Sequence, residues 1–185
     1  MTNQILLVEP EYYSKFPPIG LLKVSTYHKL KGDRTELIDF KNRDQREPKR
    51  APKKIYITSL FTWTWKPVWE AVAYYKNEFP KAEIWLGGIY ASLMPEHAKM
   101  SRADHIFQGI FTDAENLMPD YDLVPNWDGS IVFSSRGCCN NCDFCAVPRL
   151  EGKMSSLRKS IKPFVLDRHS KIIFFDNNFL ANKYR

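Results

Sequence analysis

Seven short apolar runs, separated by stretches long enough for a helix and mostly closed by turn residues, constrain this chain more than any other feature. Gln4-Ile5-Leu6-Leu7-Val8 runs into Glu9-Pro10, as a buried parallel strand would. Pro17-Pro18 then opens a helix over residues 19–31, stopped by Gly32 and Asp33. Strands follow at 36–40 and 54–60. The clearest helical period is next: Trp65, Val68, Trp69, Val72 and Ala73 share one face, Pro67 suits the first turn and Phe79-Pro80 ends it. This stripe reads as a core face rather than a ligand box. Glu83-Ile84-Trp85-Leu86 is a fourth strand closed by Gly87-Gly88, a helix starts at Pro95, and His105-Ile106-Phe107 is a fifth strand. Strands alternating with helices pair in parallel through right-handed crossovers. Residues 1–111 are therefore expected to form an α/β domain, a doubly wound parallel sheet of Rossmann-like type. Ligands of such sheets sit beyond the carboxyl ends of the strands. Those ends carry Glu9-Pro10, Ser59-Leu60 and the turn from Gly87 to Ser92, where a glycine pair would let a backbone approach a ligand.

Residues 112–129, with Pro119, Pro125 and several carboxylates, read as a linker. A second region, 130–185, begins with Ser130-Ile131-Val132-Phe133-Ser134 and continues into a loop holding every cysteine of the chain. A helix is expected at 155–166, interrupted at Pro163, and then the strand Lys171-Ile172-Ile173-Phe174-Phe175, ending in Asp176-Asn177-Asn178. Both polar loops follow the carboxyl ends of their strands, the face on which barrel active sites form.

The net charge is +6, and residues 41–54 hold much of the excess through Arg43, Arg46, Lys49, Arg50 and Lys53. Between Pro48 and Pro52 this reads as a solvated loop before it reads as a nucleic-acid contact, because no stacking platform or RNA-binding module accompanies it. No run approaches the roughly 18 apolar residues of a membrane span, and no basic segment precedes the first strand as in a secretory signal. The expected setting is cytoplasmic and reducing. All four cysteines fall between positions 138 and 145, a poor disulfide framework and a good metal site.

Cys138-x3-Cys142-x2-Cys145 offers three thiolates able to reach three corners of one iron–sulfur cluster, whose usual protein ligand is cysteine. Three ligands leave one iron open to a substrate. A structural zinc site is the rival reading, but such sites are normally closed by four ligands in two short pairs. Here Cys139 adjoins Cys138 and His169 has no short-spaced partner. Cys139 is read as a packed bystander.

The segment Cys138-Cys139-Asn140-Asn141-Cys142-Asp143-Phe144-Cys145 resembles the signature of the radical S-adenosylmethionine superfamily. Ser134-Ser135-Arg136-Gly137, Ala146-Val147-Pro148 and Phe175-Asp176-Asn177-Asn178-Phe179-Leu180 are similar to the subgroup with an N-terminal cobalamin-binding-like domain. So are Pro17-Pro18-Ile19-Gly20-Leu21-Leu22 and Leu86-Gly87-Gly88-Ile89-Tyr90-Ala91-Ser92. The resemblance implies a [4Fe–4S] cluster on Cys138, Cys142 and Cys145, with S-adenosylmethionine chelating the open iron. An external electron donor would drive its cleavage to a 5′-deoxyadenosyl radical. Phe144 would lie near the adenine, and Asp176 and Asn177 would accept hydrogen bonds from the amino group. Gly87 and Gly88 would border a cobalamin. The Asp-x-His-x-x-Gly pattern of base-off cobalamin binding does not occur, and Tyr90 stands where relatives often have histidine, so readings with and without cobalamin both stand.

A radical S-adenosylmethionine barrel needs about six βα units, and residues 130–185 hold roughly two. The expectation is a Rossmann-like, cobalamin-binding-like domain followed by the first βα units of a partial TIM-type barrel. The remainder would be absent or supplied by a second polypeptide. Three functions follow: a radical enzyme or its N-terminal portion, a non-catalytic iron–sulfur or zinc-binding interaction module, and part of an RNA-modifying radical enzyme.

Overall fold

The computed structural model describes residues 2–41 and 45–183, and Arg43 of the basic stretch lies outside them. The chain divides into two compact units, Met1–Leu123 and Val124–Arg185. Among the described residues no helix is long and apolar enough to cross a membrane.

The first unit is built on a five-stranded parallel sheet of order β2-β1-β3-β4-β5. Its strands are β1 (Gln4–Glu9), β2 (Arg34–Asp39), β3 (Lys54–Ser59), β4 (Glu83–Gly88) and β5 (His105–Ile106). Every residue of β1 from Ile5 to Glu9 is buried, because the strand lies inside the sheet and both of its faces are covered. Leu6, Val8, Ile55, Ile57, Ile84 and Leu86 point to one face. They meet Val68, Ala71, Val72 and Tyr75 of α2 (Trp65–Glu78). Ile5 and Leu7 point to the other face, against Leu21 and Val24 of α1 (Ile19–Leu30). Burying each such side chain contributes roughly 1.5–3 kcal/mol. Two short helices, α3 (Ile89–Leu93) and α4 (Pro95–Lys99), follow β4. The strand order reverses between β1 and β3, so the doubly wound sheet expected from the apolar runs is present, with its switch point at the carboxyl ends of those two strands.

Two local readings turn out differently. The buried face of α2 is Val68, Ala71, Val72 and Tyr75, and Ala73 is exposed. Trp65 and Trp69 are only half-buried and pack on the ring of His97, while the Trp69 indole N–H donates to the Tyr90 hydroxyl at 3.0 Å. The indoles thus pack toward Tyr90 and His97, and Val68, Ala71, Val72 and Tyr75 face the sheet. Residues read as the first part of the linker fold onto the first unit. There α5 (Thr112–Glu115) packs on α1, with Lys23 Nζ donating to the Glu115 carbonyl at 2.7 Å. Ser25 donates to Asp120 at 2.5 Å and Thr26 to the Met118 carbonyl at 2.6 Å.

Among the described residues of the basic stretch, the side chains of Arg46 and Lys54 are engaged, while Lys49, Arg50 and Lys53 are exposed. The Arg46 guanidinium lies 3.7 Å from the Phe40 ring and its Nε donates to the Phe40 carbonyl, while Tyr75 donates to the carbonyl of Arg46. Lys54 pairs with Glu83 at 3.1 Å. Arg46 is therefore a packing residue of the first unit.

The second unit holds a parallel pair, β6 (Ser130–Val132) with β9 (Ile172–Phe174), and an antiparallel pair, β7 (Ser135–Arg136) with β8 (Ser155–Ser156). Its helix is α6 (Val147–Leu150). The helix expected at 155–166 does not form. Ser155 and Ser156 pair with β7, Leu157 N–H donates to the Ser134 carbonyl at 3.0 Å, and Pro163 sits in a single 3₁₀ turn, Lys162–Phe164. Serine competes for backbone hydrogen bonds and proline removes one, so the neighbouring strand decides the outcome.

Candidate metal centre

Residues Ser134 and Ser135, at the carboxyl end of β6, are fixed by a buried polar node. Asp176, just past β9, accepts from the Ser134 backbone N–H at 3.0 Å, the Ser134 hydroxyl at 2.7 Å and the Ser135 hydroxyl at 2.5 Å. Asn182, 1% exposed, donates to the Ser134 hydroxyl and accepts from the Ser156 hydroxyl. A carboxylate has about four acceptor positions. Asp176 has three filled from within the chain, and its Oδ2 is the less committed oxygen.

The cysteine loop follows β7 through Gly137, whose φ is +70°. A Cβ there would stand 2.5 Å from the Lys153 carbonyl oxygen, so only glycine lets the two segments touch. Cys138 forms an isolated β-bridge with Lys153. From Cys139 to Cys145 there is neither helix nor strand, and the segment turns on a Cys145 N–H to Cys142 carbonyl bond of 3.0 Å before entering α6. Phe144 is 93% exposed.

All four cysteines are free; Cys139 and Cys142 are exposed, Cys138 and Cys145 half-buried. The Asn140 backbone N–H donates to Cys138 Sγ at 3.4 Å and Asn178 Nδ2 does so at 3.6 Å. Both bonds favour the thiolate and hold the Cys138 thiol below the usual cysteine range. Asn178 also reaches Cys139 Sγ at 3.5 Å. The sequence places Asn178 in the polar loop after the strand and in the segment that carries the resemblance, but assigns it no role of its own. The donor set has the right chemistry for an iron–sulfur cluster, since it is thiol-only, free and confined to one irregular loop. Its geometry is open: among the described residues no three His, Cys, Asp or Glu side chains are gathered as a metal would require.

The other residues singled out from the sequence have their own partners. Asn177 Nδ2 donates to Glu151 Oε2 at 2.7 Å. Gly88 has φ +107°, and a Cβ there would lie 2.4 Å from the Ser59 carbonyl oxygen, so the β3–β4 contact by itself demands glycine. A Cβ on Gly87 would meet Phe107 at 3.7 Å, an ordinary contact. Tyr90 is fully buried, and its hydroxyl meets His97 Nδ1 at 2.7 Å. At the switch point Glu9 is 9% exposed, and burial pushes its carboxyl up to about 7, opposed by Lys41 and reinforced by Asp39. Burial and Glu9 together hold the Tyr12 hydroxyl above the usual tyrosine range.

The chain matches no protein-family model and no curated protein. Two solved structures of TsrM, a radical S-adenosylmethionine methyltransferase from Kitasatospora setae, are similar to it. One, with tryptophan substrate and the analogue aza-SAM bound, aligns with a TM-score of 0.57 over 95% of this chain and 48% of its own. The other, with cobalamin and a [4Fe–4S] cluster bound, aligns with a TM-score of 0.59 over 96% of this chain and 48% of its own. Identity is 13% in both, so the likeness is one of fold: a mixed α/β chain spanning about half the length of such an enzyme.

Proposed function

We propose that this chain is the N-terminal portion of a radical S-adenosylmethionine protein, with Cys138, Cys142 and Cys145 as the ligands of a [4Fe–4S] cluster. The observation that carries this reading is the x3–x2 triad of free thiols beyond the carboxyl end of β6, on a chain whose fold aligns with such enzymes over nearly all its length. When bound, the cluster would supply the electron that reductively cleaves S-adenosylmethionine. The loop's lack of regular structure lets it close as the ligands are bound, since metal binding and local ordering are one equilibrium. Asn178 would donate to the Cys138 thiolate. Asp176 Oδ2 and Asn177 are the candidate acceptors for the amino group of S-adenosylmethionine, and exposed Phe144 the candidate neighbour of its adenine. The β6–β9 pair would be the start of a TIM-type barrel. Cobalamin at the carboxyl edge of the first unit, near Gly87 and Gly88, is the secondary proposal.

The test is anaerobic reconstitution with iron and sulfide, followed by reduction, addition of S-adenosylmethionine and assay of 5′-deoxyadenosine. Iron–sulfur absorbance that is lost in Cys142→Ala and kept in Cys139→Ala is expected. Retention of zinc without iron–sulfur absorbance, or equal loss in both variants, would overturn the ligand assignment. Cluster assembly without cleavage of S-adenosylmethionine would reduce the chain to a non-catalytic cluster-binding module.

A further inference from the structure

Glu151 lies just after the cysteine loop, at the carboxyl end of α6, and its own N–H is bonded to the Val147 carbonyl at 2.8 Å. Its side chain turns back across the loop. Oε1 accepts from the Arg136 guanidinium at 3.0 Å. Oε2 accepts from the Gly137 N–H at 2.9 Å and from Asn177 Nδ2 at 2.7 Å. Arg136 and Glu151 side chains are 15% and 16% exposed, and the guanidinium lies 3.5 Å from the Phe133 ring, which fixes its plane. One carboxylate therefore joins the residue pair leading into Cys138, the helix leading out of Cys145, and the polar loop after β9.

We propose that Glu151 is the positioning residue of the cysteine loop, the clasp that closes its two ends on each other and sets where Cys138 begins. The inference rests on the cluster reading for its purpose, but its geometry stands without it. Three donors converge on one acceptor-only group, and two of them share a single oxygen. An amide in place of the carboxylate would turn an N–H₂ toward at least one of these donors. The loop so closed separates the paired residues by 14 positions, and most of it has no regular structure to fix its ends. Without the clasp, more of the ordering of that loop would fall on cluster assembly.

The experiment uses the full chain, with Glu151→Gln and Asn177→Ala as variants. Amide hydrogen exchange is read at Gly137, and iron and sulfide content after reconstitution is read beside it. Glu151→Gln should speed Gly137 exchange about tenfold, and Asn177→Ala about threefold, while the amides of β1 and β3 keep their wild-type rates. Glu151→Gln should also lower iron content under limiting iron, and Glu151→Asp, too short to span all three donors, should not restore it. Wild-type exchange at Gly137 in both variants overturns the clasp, whatever the iron content. If wild-type protein binds no iron, the cluster reading fails, and the Gly137 exchange rates alone decide the clasp. A Glu151→Gln protein that does not fold shifts that decision to Asn177→Ala, whose unchanged Gly137 exchange would overturn it.

Discussion

At the scale of single residues, the polar groups that organise this chain are those whose partners are distant in sequence. Asp176 reaches Ser134 across 42 positions and Asn182 reaches it across 48, and neither contact leaves a pattern in the sequence. Asp176 was legible as a polar residue closing a strand. Its engagement with three donors was not, because the sequence does not say which hydroxyl a carboxylate will meet. Glu9 is a comparable case. It was visible as the end of an apolar run, while its burial depends on residues distant in sequence that pack around the end of β1. Its carboxyl is raised to about 7 from an ordinary 4.5, so the folded state holds the proton more tightly than the unfolded state does. Stability from this group is present below about pH 4.5 and is lost as pH rises to about 7, by an amount on the order of 3 kcal/mol. Chemical denaturation between pH 4.5 and 7 should show this decline, and Glu9→Gln should flatten it. An unchanged slope in the variant would mean that Glu9 is solvated.

At the scale of elements, the sequence was a good guide where burial imposed an apolar pattern on a strand, as a continuous run in β1 and as buried residues alternating with more open ones in β3 and β4. It was a weaker guide to the orientation of α2. Two tryptophans dominated the apparent stripe, yet large amphipathic rings settle at the boundary of a core more readily than small aliphatic side chains do. The rotation of α2 has a direct check. Ala73→Lys, on the exposed side, should change stability by no more than about 0.5 kcal/mol, whereas Ala71→Lys, placing an ammonium in the core, should cost on the order of 3 kcal/mol or more. Similar effects at the two positions in denaturant titrations would restore the tryptophan face as the buried one. Segment 155–166 teaches the complementary lesson. Its spacing allowed a helix, but the pairing of Ser155 and Ser156 with β7 and the presence of Pro163 leave only a strand and a turn.

At the scale of the whole molecule, the division of apolar burial between the units has a consequence for how the chain would respond to the proposed cluster. Among the described residues, the buried apolar side chains belong to the first unit, except Ile131, Val132 and Phe133. The second unit is held chiefly by its polar node, the Glu151 clasp and two short strand pairs. Ile172 and Phe174 of β9 remain 49% and 40% exposed. A region with few buried apolar contacts opens at a lower free energy than the core beside it. Amides of β6 and β9 should therefore exchange faster than those of β1, β3 and β4, and limited proteolysis should cut first between residues 139 and 162. Ligand binding stabilises the state that binds it, and a cluster on residues 138, 142 and 145 would bind within this unit. Reconstitution should thus slow cleavage between 139 and 162 by tenfold or more, a rough figure for binding well above the dissociation constant, and leave exchange in β1 and β3 unchanged. Equal protection of the two units before reconstitution would contradict the weak second core. Cleavage that ignores the cluster would show that metal does not order the cysteine loop.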